Sequence, residues 1–239
     1  MATPDLQKSG KFSTYVYLLG AIILALVGLS SIVFDIPIRK LVVDPVQTFN
    51  GRFFVGFLSN LTILVWAIGA YVTLFTWRIV KAVKGPQEWQ RFFFLAGSFT
   101  VVLMLDDFFL IHEQVFPEYF LLSKVTGLEP NEKILMAAYA LFAVWFFYTA
   151  RQTIFKTSWS HLAISMALLS VSVLIDRGIG ELIVPNKAVR IYIEDGAKFL
   201  GVVAWSLYFL LASRKVVWEF LQTAVVSIDD ETVPQNSST

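Results

Sequence analysis

Two adjacent aspartates, Asp106 and Asp107, interrupt the apolar run VVLMLDDFFLIHEQVF, and His112 and Glu113 follow in the same run. Further along, SVLIDRGIGELIV carries Asp176, Arg177 and Glu181, and RIYIEDGAKFLG carries Glu194, Asp195 and Lys198. Carboxylates held away from water have two outlets. They can keep protons, because burial and neighbouring like charge both raise a carboxyl pKa, or they can bind a hard cation through oxygen. The chemistry expected is therefore a cation- or proton-binding site carried by Asp106, Asp107 and Asp176 and completed by Glu194 and Asp195. Arg177 and Lys198 would tune its charge, and a divalent metal ion on Asp106, Asp107 and Asp176 is one form it could take.

Helical spacing divides the charges further. Glu194 and Lys198 are four residues apart in the favoured order, as are Arg177 and Glu181, which predicts two local pairs. At about 100° per residue, Glu113 returns to the face of Asp106, whereas His112 does not. The neighbours of His112 one turn away are Phe108 and Phe116, and the other histidine, His161, belongs to a different segment. A multi-histidine zinc site is thus out of reach, and His112 reads as an interfacial or hydrogen-bonded histidine. Asn60, His112, Glu113 and Glu181 remain accessory candidates.

The elements that must position these groups follow from composition. The chain has 239 residues, 56% of them hydrophobic, including 22 Phe and 7 Trp, and a mean hydropathy of +0.67. That is too apolar for an ordinary soluble domain and predicts an all-α, polytopic integral membrane bundle. A spanning helix needs about 20 mostly apolar residues. About six segments qualify: 14–34, 53–77, 92–112, 134–150, 161–183 and 191–212. They form a single membrane domain over 1–226, and the polar, acidic stretch 227–239 reads as a disordered tail. Residues 1–13 lack the pattern of a cleaved signal, so the first apolar run reads as a retained span.

At about 1.5 Å per residue, Asp106 lies roughly 22 Å along its span from Arg91, and Asp176 roughly 22 Å from His161. Spans two and six run the other way. Asn60 then lies about 12 Å past Arg52, and Glu194, Asp195 and Lys198 about 6 to 12 Å past Arg190. All fall in one layer in the half of the bilayer away from the N-terminus. Lysines and arginines of the short connectors, among them Lys81, Lys84, Arg91, Arg151 and Arg214, favour cytoplasmic termini and place that layer in the outer half. Ionisable groups at such depth cost several kcal/mol unless they face protein, water or a counter-charge, so they are expected to face one another.

The segment EDGAKFLG resembles the retinal-attachment helix of microbial rhodopsins, with Glu194 standing four residues before Lys198. The likeness covers eight residues, and six expected spans depart from the seven of that family. Small ceramidase-like membrane hydrolases carry a histidine-rich intramembrane metal site, which this chain lacks.

The absence of cysteine removes disulfides and thiolate chemistry, and no G-x-S-x-G, H-E-x-x-H or glycine-rich phosphate loop is present. Nucleic acid is not an expected partner. The lipid bilayer is, and a second copy or a membrane partner subunit could be. The expected function is part of a transport or permeation path. The alternative is a membrane-embedded metal-dependent enzyme acting on a lipid or other hydrophobic substrate, with His112 or Glu113 moving protons.

Overall fold

The computed structural model describes residues 28–38, 49–52, 54–116, 132–176 and 184–232, together with isolated positions between 18 and 26; side chains are described for 134–176 and up to 223 within the last two of these segments. The chain divides into two compact units, Met1–Phe57 and Leu58–Thr239. In the first unit a helix closes at Asp35, whose φ of 50° is left-handed. There the Ile36 amide donates to the Ser31 carbonyl, and the Ser31 hydroxyl to the Ile36 carbonyl. About half of the first expected span, 14–34, lies outside the described residues.

The second unit contains helices α1 (Phe57–Ala82, whose first residue belongs to the other unit), α2 (Gln87–Phe109), α3 (Glu132–Phe155), α4 (Ser160–Leu174) and α5 (Lys187–Thr232). No strand occurs among the described residues. Four of these helices, α1, α2, α3 and α5 as far as Thr223, are long and apolar enough to cross a membrane. The count of about six spans is therefore not confirmed. Helix α4, with 15 residues, is shorter than a span, and 177–183, the rest of the expected fifth span, lies outside the described residues.

Helix ends depart from the expected bounds because local capping, rather than hydropathy, sets them. Helix α1 runs past residue 77 and closes with the Gly85 amide on the Val80 carbonyl and the Lys84 amide on the Lys81 carbonyl. This is a Schellman closure with Lys84 at φ 53° in the position glycine usually takes. Pro86 then stands at the N-cap of α2, where a missing amide hydrogen costs nothing. At the start of α5, Asn186 caps the helix through Oδ1, which accepts from the Ala188 and Val189 amides at 3.0 and 3.2 Å. Helix α5 continues through Ser227 to Thr232, so the first part of the expected tail is helical, and 233–239 lie outside the described residues.

With lipid outside, apolar burial contributes little to helix association, and close packing and interhelical hydrogen bonds carry it. The Ser165 hydroxyl on α4 donates to the Gly201 carbonyl on α5 at 2.8 Å, and the Ser206 hydroxyl on α5 donates to the Val65 carbonyl on α1 at 2.9 Å. The absence of a side chain at Gly201 permits the approach, since a Cβ there would lie 2.9 Å from Leu169 Cγ and 3.2 Å from its backbone nitrogen. Trp205 is the centre of the core. Its indole N–H donates to Thr100 Oγ1 at 2.9 Å, and its ring meets Trp66, Phe99 and Phe209 edge-on. Outward-facing stripes such as Leu64, Ile68, Tyr71 and Phe75 on α1 are exposed, as helices facing acyl chains require. Gly201→Val is expected to cost about 1–3 kcal/mol by overpacking against Leu169, read as a lowered Tm of the detergent-solubilised protein.

Candidate functional site

Helix α2 ends abruptly at the acidic pair. Leu110 adopts φ 52°, ψ 44°, and its amide donates to the Asp106 carbonyl, after which Ile111–Val115 form a single π-helical turn. A leucine in left-handed conformation costs about 1–2 kcal/mol, and the contacts made by His112, two residues on, offset it. The His112 amide donates to Asp106 Oδ1 at 2.9 Å, and His112 Nδ1 lies 2.5 Å from Asp106 Oδ2. The Tyr139 hydroxyl on α3 donates to Asp106 Oδ1 at 3.2 Å. Asp106 is 4% exposed, so these partners replace water for a carboxylate that has lost it. The hydrogen bond to Asp106 raises the His112 pKa above its ordinary 6.5, against the lowering effect of burial, with the charges of Asp106 and Glu113 adding to the rise.

The helix break corrects the expected facing of these residues. On an uninterrupted helix Glu113 would return to Asp106; the left-handed Leu110 advances the chain so that His112 does. Glu113 instead lies outward, its Oε1 3.5 Å from His112 Nε2. Asp106, His112 and Glu113 thus form a carboxyl, imidazole, carboxyl series from a buried to an exposed position.

Asp107, about 100° around the helix from Asp106, faces α5 and α1. Lys198 Nζ donates to its Oδ1 at 2.5 Å, and Trp66 Nε1 to its Oδ2 at 3.1 Å. This overturns the local pairing expected of Lys198 with Glu194: the lysine reaches across to α2. Asp107 also accepts the Trp66 indole hydrogen bond, so protein groups meet both of its carboxylate oxygens.

Asp106, Asp107, Asp176, Glu194, Asp195, His112, Glu113 and Lys198 line one cavity of about 230 Å³, with Trp66 and Tyr139 among its walls. Six carboxyl groups meet one lysine and one histidine there. Asn60 is exposed and not part of the lining, and Arg177 and Glu181 lie outside the described residues. Among the described residues no three histidine, aspartate or glutamate side chains are placed to hold a metal ion, and the adjacent Asp106 and Asp107 turn to different partners. Trp66 and Tyr139 were not among the residues expected at the site, which were chosen mainly for their ionisable groups. The available signal was their polar N–H and O–H, which need a partner inside an apolar span.

Residues 16–212 match the profile of a family described as a domain of unknown function (DUF8692). No curated protein and no solved structure matches the chain.

The Asp107–Lys198 pair is partly buried, Lys198 being 35% and Asp107 11% exposed at the side chain. Asp107→Asn and Lys198→Met are each expected to cost about 2 kcal/mol, between the surface and fully buried cases. In a thermal-unfolding cycle the double variant should recover much of that loss; additive losses would show that the two do not interact. For His112, a folded pKa above the unfolded value means that its charged form stabilises the fold fully below about pH 6.5. That contribution is lost as pH rises through the folded pKa. The Tm difference between wild type and His112→Gln should therefore be largest at acidic pH and shrink on alkalinisation.

Proposed function

The chain belongs to the DUF8692 family, whose description assigns no activity, and we propose from the cavity itself that the protein binds and passes protons within a membrane-embedded transport path. The observation that carries this reading is the Asp106–His112–Glu113 series, opening from a buried carboxyl to an exposed one. A proton taken up by Glu113 passes to His112 Nε2 while the proton on Nδ1 passes to Asp106, and the imidazole ends neutral with its tautomer exchanged. Rotation of the ring or return of the proton resets it. Histidine suits the step because its pKa lies closest to physiological pH.

Asp176, Glu194 and Asp195 would supply the negative potential that draws protons or a coupled cation into the cavity. Lys198, held by Asp107, would keep that potential from becoming prohibitive. In this reading both termini are cytoplasmic, the cavity lies in the outer half of the bilayer, and a transported cation occupies the cavity without a fixed cage of ligands. A second copy or partner subunit could complete the path.

The alternative is a membrane-embedded enzyme, and the same pair favours it: a carboxylate on Nδ1 orients a histidine whose Nε2 can act as a general base. A resident divalent metal would belong to that alternative, and stoichiometric metal in elemental analysis of the purified protein would favour it over transport.

The transport reading is tested in liposomes containing a pH-sensitive dye, with a potassium diffusion potential as driving force. Wild-type protein is expected to acidify the lumen faster than protein-free vesicles, and His112→Gln to lower that rate at least about tenfold, the lower range for loss of a proton-transfer group being 10²-fold for chemistry. Asp176→Asn should lower it while the protein still inserts. Wild-type vesicles indistinguishable from protein-free ones, or a His112→Gln rate equal to wild type, would overturn the reading.

A further inference from the structure

A second cavity, of about 480 Å³, lies between α2 and α3, with Glu88, Arg91, Leu95, Trp145, Phe146 and Thr153 among its lining residues. Its polarity is graded. Lys156 donates to Glu88 at 2.8 Å, tying the start of α2 to the end of α3, so Arg91 and Thr153 stand at one level about a turn inside. At 1.5 Å per residue, Leu95 is about 6 Å deeper than Arg91, and Trp145 about 12 Å deeper than Thr153. The mouth is therefore cationic and hydroxylated, and the inner wall is apolar.

Two polar groups at the mouth have no partner among the described residues. Arg91 makes no ion pair or hydrogen bond among the described residues, whereas the Glu88 charge is matched by Lys156. Thr153 is 5% exposed, and its hydroxyl has no hydrogen-bond partner among the described residues. Thr149, in contrast, donates to the Trp145 and Phe146 carbonyls. The Thr153 hydroxyl is not among the inaccessible unpartnered atoms, so it opens to the cavity and can donate to an acceptor seated there. Phe94 and Trp145 are 44% and 49% exposed, although they flank this groove.

We propose that this groove seats one anionic phospholipid, with its phosphate on Arg91 and Thr153 and an acyl chain along Phe92, Phe94, Leu95, Trp145 and Phe146. Charge selects the occupant. With Glu88 neutralised by Lys156, the mouth carries the net positive charge of Arg91, which favours an anionic headgroup over a zwitterionic one, and guanidinium recognises phosphate by paired hydrogen bonds. The apolar depth separates a lipid from a free anion, which would leave that wall uncovered. The site is independent of the proton path: neither shares a lining residue with the other.

The test is native mass spectrometry of the full-length protein, delipidated in nonionic detergent and titrated with dioleoyl-phosphatidylglycerol, dioleoyl-phosphatidylcholine or inorganic phosphate. Phosphatidylglycerol is expected to bind about fivefold tighter than phosphatidylcholine, the factor for one basic residue at an anionic lipid surface. Arg91→Gln, at an exposed position, should remove the preference while leaving phosphatidylcholine binding in place, and Thr153→Val should reduce it. Ala150→Trp should fill the groove and displace both lipids; should that variant not fold, Arg91→Gln still decides. Equal affinities for the two lipids, a preference that survives Arg91→Gln, inorganic phosphate competing as well as the lipid, or a stable dimer covering α2 and α3 would each overturn the proposal.

Discussion

A charge within an apolar helical bundle must be met by another group of the protein, and the Asp107–Lys198 contact is where this constraint organises the rest. It joins α2 to α5, and the Trp66 indole on the same carboxylate adds α1. Three helices are thereby joined through one carboxylate, whose unmatched charge would be costly inside the protein. Other contacts between these helices are apolar or are hydrogen bonds between neutral groups, such as Ser206 to Val65 and Trp205 to Thr100. Separating the ion pair, in contrast, leaves two unmatched charges. Trp205 and its aromatic neighbours fill the space between the same helices, so the tolerance of the core is set by a polar contact at its end.

The second aspartate solves the same problem differently. Asp106 is satisfied by an amide, an imidazole and a phenol, of which only the imidazole exchanges protons near neutral pH. Two neighbouring carboxylates therefore acquire separate characters from their partners alone. Asp107 is fixed by a lysine and is structural in effect, whereas Asp106 faces a group that can give a proton to it or take one from it.

Much of this was legible from residue types. The apolar composition implied membrane-spanning helices, and the depth of Asp106, Asp107, Asp176, Glu194, Asp195 and Lys198 along their segments placed them in one layer; they do line one cavity. What was not legible depended on geometry that spacing does not encode. Nothing in the residue type of Leu110 announces a left-handed conformation, since leucine is a good helix former. The partner of Lys198 was misjudged because a one-turn pair with Glu194 is visible in sequence, while a contact with a residue 91 positions away is not. Asn60 was expected in the same layer but lies on an exposed face outside the cavity lining, because position along a helix follows from residue count and facing from how helices pack.

These points connect at Leu110. If α2 continued without interruption, Glu113 would lie over Asp106, and two carboxyl groups would share a buried site with no proton-exchanging base between them. The break substitutes His112 for Glu113 beside Asp106 and moves Glu113 outward to the far side of the imidazole ring. The order carboxyl, imidazole, carboxyl is thus produced by one left-handed residue acting on the sequence D-D-F-F-L-I-H-E. Strain at Leu110 is compensated by the His112 amide and ring contacts to Asp106, so any change that weakens those contacts also removes the reason for the break. Local backbone conformation and the order of titratable side chains in the cavity are in this way a single coupled feature, not two.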